Sequence, residues 1–302
     1  MNGIDHESSI SIKTPEPFSF SECLIFLGRS DQEVLHQIHD DYLFKLLKMD
    51  GSLILIKVSA DPNFILIEFP DGVPNPAVRS KIAAYVKDWF DLGRDLSPFY
   101  AMASQDKILK QLIQKYYGLR MICIPDLFEA LAWGITGQQI NLTFAYTLKK
   151  RMIQQFGEHL TYKGNTFWLF PSAEKIAGLH IEDLKILQFS SRKAEYILEI
   201  AKAIRDGILT KESLLQAGSP DQIQESLTVI RGIGKWTSSL AMMRCLRIPT
   251  AFPIADVGLH LALKKQLSMD RKPFIEEIEG MASYWEGWQA YATFYLWRSR
   301  YE

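Results

Sequence analysis

Residues 227–260 read LTVIRGIGKWTSSLAMMRCLRIPTAFPIADVGLH, and this stretch decides how the chain is to be understood. An apolar run enters the turn Gly232-Ile233-Gly234-Lys235-Trp236, and a second helical run follows it through 238–243. Two glycines around one apolar residue permit a tight hairpin, because glycine accepts positive φ and lets a neighbouring backbone approach closely. A helix that starts at such a turn presents N–H groups with no intrahelical partner. Those groups and the positive end of the helix dipole favour an anion, and a phosphate above all. Between residues 227 and 247 the charges are Arg231, Lys235, Arg244 and Arg247, with no carboxylate among them. That local excess carries more information than the whole-chain net charge of −1, which signals no general affinity for nucleic acid. Gly232, Gly234, Lys235 and Arg231 are the candidate phosphate contacts. Beyond the second run, the loop 248–255 (IPTAFPIA) ends at a lone carboxylate, Asp256.

The chain has 302 residues, 47% hydrophobic and 23% charged, enough for two domains of ordinary globular composition. No apolar run approaches the roughly 20 residues of a membrane-spanning helix. The first residues, MNGIDHESSISIKTPEP, carry no basic-plus-apolar export pattern. Cys23, Cys123 and Cys245 lie far apart and are odd in number, which suits free thiols in a reducing compartment. A cytoplasmic protein without membrane contact is expected. The six histidines fall into no metal-ligand spacing with cysteine or carboxylate, and no Walker-type loop occurs, so no cofactor is required by these patterns.

After a polar tail, residues 18–27 read as a strand, and Tyr42–Met49, 52–59 and 64–69 read as an antiparallel meander. Its turns are Asp50-Gly51 and Asp61-Pro62-Asn63; Asp-Gly between apolar runs is a strong hairpin signal. Along 53–58 the face carrying Ile54, Ile56 and Val58 is the more apolar. Residues 75–92 and 96–117 have helical spacing between Pro and Gly breakers. From Pro125 onward the pattern is helical apart from a short extended piece at 166–170. The fold class expected is α+β: an antiparallel-sheet domain with helices over 1–118, then an all-helical body over 119–302.

Four segments together carry a resemblance to a known family. The hairpin and its aspartate are the first. Residues 128–145 (FEALAWGITGQQINLTFA), 184–203 (LKILQFSSRKAEYILEIAKA) and 284–298 (YWEGWQAYATFYLWR) are the others, in order. They resemble the helix–hairpin–helix DNA glycosylase superfamily, and within it the AlkA-type DNA-3-methyladenine glycosylases. The match is dense from about 118 onward and holds only in element order before it. The iron–sulfur branch of the superfamily is excluded, since no cysteine follows Cys245.

The resemblance implies a hydrolase that initiates base excision repair on double-stranded DNA containing damaged bases, acting as a monomer. It implies that Asp256 is the catalytic carboxylate, although an Asp before a helical run is equally a helix N-cap. Breaking an N-glycosidic bond builds positive charge on the sugar, which a carboxylate stabilises. Bifunctional relatives place a Schiff-base lysine where this chain has Trp236, and Lys235 is one position early, so a monofunctional enzyme without lyase activity is implied. Trp236 and Trp297 match base-pocket aromatics, whose faces attract cationic alkylated purines; both could equally be core anchors. Leu240 stands at another pocket position that is aromatic in the family, which leaves base preference open.

Gln139, with Ile140 beside it, matches the wedge that fills the gap left by a flipped base; the same turn reads as an ordinary interhelical turn with Asn141 as N-cap. Thr228, Ile230 and Gly232 match carbonyl positions that hold a structural Na⁺ or K⁺ in the hairpin, with Arg231 replacing the usual proline. His260 reads as a surface or core histidine. The alternatives are an oxidised-purine or uracil glycosylase, a non-catalytic helix–hairpin–helix DNA-binding protein, and an N-terminal domain serving as a separate partner-binding module.

Overall fold

The computed structural model describes residues 3–6, 8–61 and 63–302. The strands are β1 (Gly3–Asp5), β2 (Ser9–Lys13), β3 (Gln37–His39), β4 (Tyr42–Met49), β5 (Ser52–Ala60), β6 (Phe64–Glu68), β7 (His159–Tyr162) and β8 (Asn165–Trp168). The N-terminal helices are α1 (Phe20–Leu27), α2 (Pro76–Trp89), α3 (Ser97–Ala103) and α4 (Leu109–Lys115). The body is built from α5 (Leu127–Gly137), α6 (Leu142–Phe156), α7 (Ala173–Ala177), α8 (Ile181–Ile186), α9 (Ser191–Arg205), α10 (Lys211–Gln216), α11 (Pro220–Thr228), α12 (Lys235–Arg244), α13 (Val257–Gln266), α14 (Ile275–Ala282) and α15 (Gln289–Arg298). The class is therefore α+β.

The first six strands form one antiparallel sheet in the order β1-β2-β6-β5-β4-β3. The meander lies where the alternation places it, and Met49 pairs with Ser52 across the Asp50-Gly51 turn. Both turn residues have positive φ, 50° and 81°, the geometry whose twist matches a two-residue hairpin. Pro62 of the second turn lies outside the described residues. Ile54, Ile56 and Val58 enter the main core, while Leu55 on the opposite face joins Leu46 and Phe167 beneath the β7–β8 hairpin.

Three expectations need correction. Residues 18–27 do not form a strand: α1 occupies them, with Ser19 Oγ accepting the Glu22 N–H as N-cap. The buried positions Phe20, Cys23, Leu24 and Leu27 follow a helical stripe, which a run of apolar residues conceals when judged by hydrophobicity alone. The polar tail contains two strands, since the alternating SISIK of β2 buries Ile10 and Ile12 against β6. The helical run 96–117 is two helices. Asp106 accepts the N–H groups of Ile108 and Leu109 at 2.8 Å, restarting the chain as α4.

A continuous core runs from Ile10 to Leu296, so the sheet segment and the helical body share their interior. Near Gly118, where the domain border was expected, α3 and the C-terminal helix meet through a 2.8 Å hydrogen bond between the Tyr100 and Tyr295 hydroxyls. No described helix is long and apolar enough to cross a membrane.

Candidate active site

The hairpin forms as its glycines require. Gly232 has φ +88°, and a Cβ there would sit 2.2 Å from the Tyr196 ring of α9. Gly234 is the N-cap of α12 and is exposed, with open space where a side chain would stand. The free N–H groups of α12 therefore face solvent beside the turn.

The loop after α12 returns the chain to the same end of the molecule, where Asp256 caps α13. Its Oδ1 accepts the Leu259 N–H at 2.8 Å, so the N-cap reading holds. The same carboxylate also receives both tryptophans: Trp297 Nε1 donates to Oδ1 at 2.7 Å and Trp236 Nε1 donates to Oδ2 at 3.2 Å. Trp236 comes from the first turn of α12 and Trp297 from the last turn of α15. Trp297 also packs against the main core, so it is a core anchor that lines the cleft as well. His260, a turn further along α13, pairs its Nε2 with the Ile254 carbonyl at 2.7 Å.

These groups border an open cleft of about 650 Å³ that also holds Leu240, Gln139 and Ile140. Leu240 is buried at the side of α12 facing it. Gln139 is exposed at φ 56°, projecting from the α5–α6 turn, while Ile140 is half-buried. Asn141 accepts the Phe144 N–H as N-cap of α6, so the turn has a structural role besides any at DNA.

The local positive excess is smaller in three dimensions than along the chain. Arg231 donates to Glu195 at 2.6 Å and reaches Glu199 at 3.4 Å, both on α9. Arg247 pairs with Asp88 at 2.7 Å and lies 3.7 Å from Asp91, and Arg244 is buried with its Nε donating to the Ile122 carbonyl. Among the described residues of the four, Lys235 alone is exposed without a polar partner. Long-range carboxylates from α9 and α2 were invisible to a count confined to 227–247.

Sequence reasoning missed several cleft residues. Gln138, quoted in the turn motif but given no role, donates through Nε2 to the Gly232 carbonyl and the Thr237 hydroxyl, both at 2.9 Å. It thereby fastens the α5–α6 turn to the hairpin. Phe26 and Arg29, from the end of α1 and just beyond it, line the same cleft with Arg244. The N-terminal segment thus supplies part of the cleft wall, which speaks against a wholly separate module; the signal was hidden by the misassigned strand.

The carbonyls of Thr228, Ile230 and Gly232 are a donor set of the chemical type that a monovalent cation takes. They are neutral oxygens at the C-terminal end of α11 (Thr228) and just beyond it (Ile230, Gly232), where helix dipole and unpaired carbonyls favour positive charge. Ile230 O accepts the Ile233 N–H at 3.0 Å and Gly232 O accepts Gln138, so each retains one lone pair.

The comparisons with known proteins bear on the family and the fold. Residues 132–289 match the family model described as HhH-GPD superfamily base excision DNA repair protein, and residues 12–131 match the 8-oxoguanine DNA glycosylase N-terminal domain. The chain is 43% identical to a DNA-3-methyladenine glycosylase of Bacillus subtilis, over 97% of each protein. In three dimensions it is similar to a 3-methyladenine DNA-glycosylase from Archaeoglobus fulgidus, with TM-score 0.79 and 21% identity over 95% of this chain and 97% of that one. It is also similar to the Clostridium acetobutylicum 8-oxoguanine glycosylase/lyase in complex with double-stranded DNA, with TM-score 0.76 and 18% identity over 99% and 98%. At such identities the two structural likenesses speak for the fold.

Proposed function

The chain belongs to the HhH-GPD superfamily of base excision DNA repair proteins, and from that premise we propose that it is a monofunctional DNA glycosylase removing alkylated purines of the 3-methyladenine and 7-methylguanine type. The observation that carries this reading is Asp256, held at the cleft by the indole N–H groups of Trp236 and Trp297. A nucleotide rotated from the duplex places its base in the cleft and its sugar beside that carboxylate. As the C1′–N bond lengthens, positive charge grows on the sugar, and Asp256 stabilises it where water then attacks. A base alkylated at N3 or N7 leaves readily because it already carries positive charge. The aromatic faces of Trp236 and Trp297 favour that charge by about 0.5–2 kcal/mol each.

Gln139 and Ile140 fill the vacated stack, and the hairpin N–H groups with Lys235 hold a backbone phosphate. A Na⁺ or K⁺ on the carbonyls of Thr228, Ile230 and Gly232 would add positive charge toward that phosphate. Support for hydrolysis without strand cleavage is that Trp236, not a lysine, faces Asp256, while Lys235 turns to solvent. The protein is taken to act on duplex DNA as a cytoplasmic monomer.

The test is base release from methylated duplex DNA by wild type and Asp256→Asn, with abasic sites revealed by alkali. Wild type releases the methylated bases and leaves strands intact until alkali is added. The variant loses activity by about a hundredfold or more while retaining DNA binding. Strand cleavage by the wild type, or full activity in the variant, would defeat the reading. A second reading, an oxidised-purine glycosylase, is favoured by the family match of residues 12–131; it calls for release of 8-oxoguanine where methylated bases are left in place.

A further inference from the structure

Two arginines at the floor of the cleft, Arg244 and Arg29, make no ion pair with a carboxylate among the described residues. Arg244 is 4% exposed, and its Nε donates to the Ile122 carbonyl. Its Nη atoms have no hydrogen-bond partner among the described residues, and the residue borders the cleft. Arg29 lies beside the same floor. It donates to the Phe26 carbonyl at 2.7 Å and stacks 4.1 Å from the Phe26 ring.

Behind them is a small cavity of about 40 Å³ bordered by Glu33 and Glu129. Those carboxylates are committed elsewhere: Lys149 pairs with Glu33 at 2.9 Å and with Glu129 at 3.5 Å. A buried guanidinium that feels Glu129 only at a distance, with no carboxylate in contact, is costly to hold, and the cost is offset when a ligand completes its hydrogen bonds. Burial, together with the Arg29 charge, lowers Arg244 to about 10, which leaves it cationic at neutral pH. A DNA phosphate stays on the outer strand, near the exposed Lys235 and Gly234, whereas the cleft floor is reached by an inserted base.

We propose that Arg244, with Arg29 beside it, is a specificity-determining residue that donates to the carbonyl edge of the purine in the cleft, so that 6-oxopurines are bound in preference to 6-aminopurines. A guanidinium has donors and no acceptor. A purine with oxygen at C6 presents an acceptor to it, and an unmodified N7 adds a second beside the first. An adenine-type base turns its amino donors toward the guanidinium at C6, so that position is left unpaired and N7, where unmodified, is the one acceptor it offers. This inference rests on the base-excision reading and refines which bases fit.

Release of 7-methylguanine and 7-methyladenine, which are alike at N7 and differ at C6, from methylated duplex DNA is compared as kcat/KM for wild type, Arg244→Met and Arg29→Gln. Each folded variant lowers the ratio of 7-methylguanine to 7-methyladenine release by about tenfold. A ratio unchanged in the folded variants overturns the proposal, as does an equal fall in both activities. Thermal melting shows which variants fold, and Arg29→Gln, at a half-buried position, covers the failure of Arg244→Met. Competition for binding by free hypoxanthine against free adenine, read by tryptophan quenching, needs no catalysis. Tighter binding of hypoxanthine, lost in the folded variants, supports the proposal; equal binding overturns it. Should methylated DNA lose no base at all, the alkylpurine reading falls, and the free-base result still decides this one.

Discussion

The carboxylate of Asp256 accepts one backbone N–H and two indole N–H groups, which leaves little freedom to either oxygen. The cap fixes the base of the side chain, and the tryptophans, arriving from α12 and α15, fix its plane. Each indole also lines the cleft, so on the proposed function orientation of the carboxylate and contact with the base fall to one residue. Phenylalanine separates the two roles, because it keeps a face and loses the donor. Trp297→Phe is expected to lower kcat about tenfold to a hundredfold, the worth of a hydrogen bond to a charged group. KM should change little, since the lost contact acts on the developing charge. Steady-state kinetics on methylated duplex check this; a rise in KM at constant kcat would assign Trp297 to base binding alone.

At the scale of elements, the site is a junction of turns. The hairpin, the α5–α6 turn and the cap of α13 come from distant parts of the chain, and Gln138 ties the first two together. Gln138→Ala removes two hydrogen bonds of 2.9 Å and leaves the Thr237 hydroxyl without this partner. A loss of about 1–3 kcal/mol is expected, visible in denaturant unfolding, together with weaker binding to duplex carrying an abasic-site analogue. Unchanged stability and binding would show the tie to be incidental.

What was legible in the sequence follows from the same distinction. The hairpin, the Asp256 cap, the Asn141 cap and the Asp50-Gly51 turn rest on local chemistry, so their residues declare them. The pairing of Arg231 with Glu195 and Glu199 depends on α9 folding back across the hairpin, and no local pattern encodes it. The helix α1 is hard to see in the sequence because its ends matter more than its composition: the Ser19 cap stands beside an apolar run that alone suggests a strand. With α1 misassigned, the cleft contributions of Phe26 and Arg29 were out of reach as well.

For the whole molecule, the consequential feature is a charged cluster, buried or half-buried, where the sheet segment meets the helical body. Glu33, His36 and Lys45 come from the N-terminal segment, while Glu129 and Lys149 come from α5 and α6. Burial alone would raise the Glu33 carboxyl, but Lys149, His36 and the backbone N–H of Leu35 outweigh it and hold the group far below the usual range. For Lys149, burial is outweighed by Glu33 and Glu129, which raise it. Burial pushes His36 down to about 4, with Lys45 and Lys149 acting the same way against Glu33 and the Leu27 carbonyl.

The folded protein therefore holds His36 neutral at pH values where the unfolded chain binds its proton. Stability from this ring is complete above the ordinary value of 6.5 and is lost as pH falls toward 4. Glu33, with its depressed value, adds a loss in the same direction once the medium drops below the ordinary carboxylate range. Urea unfolding at pH 7 and pH 5 should differ by on the order of 2 kcal/mol through His36. His36→Asn should flatten that difference while leaving the steeper loss below pH 4.5 that belongs to Glu33. An equal pH dependence in wild type and variant would place the acid sensitivity elsewhere. Because the cluster adjoins the floor formed by Arg29 and Arg244, acid weakening of the junction should loosen the cleft together with the fold. Base release should then fall over the same interval as stability and recover when the pH is restored.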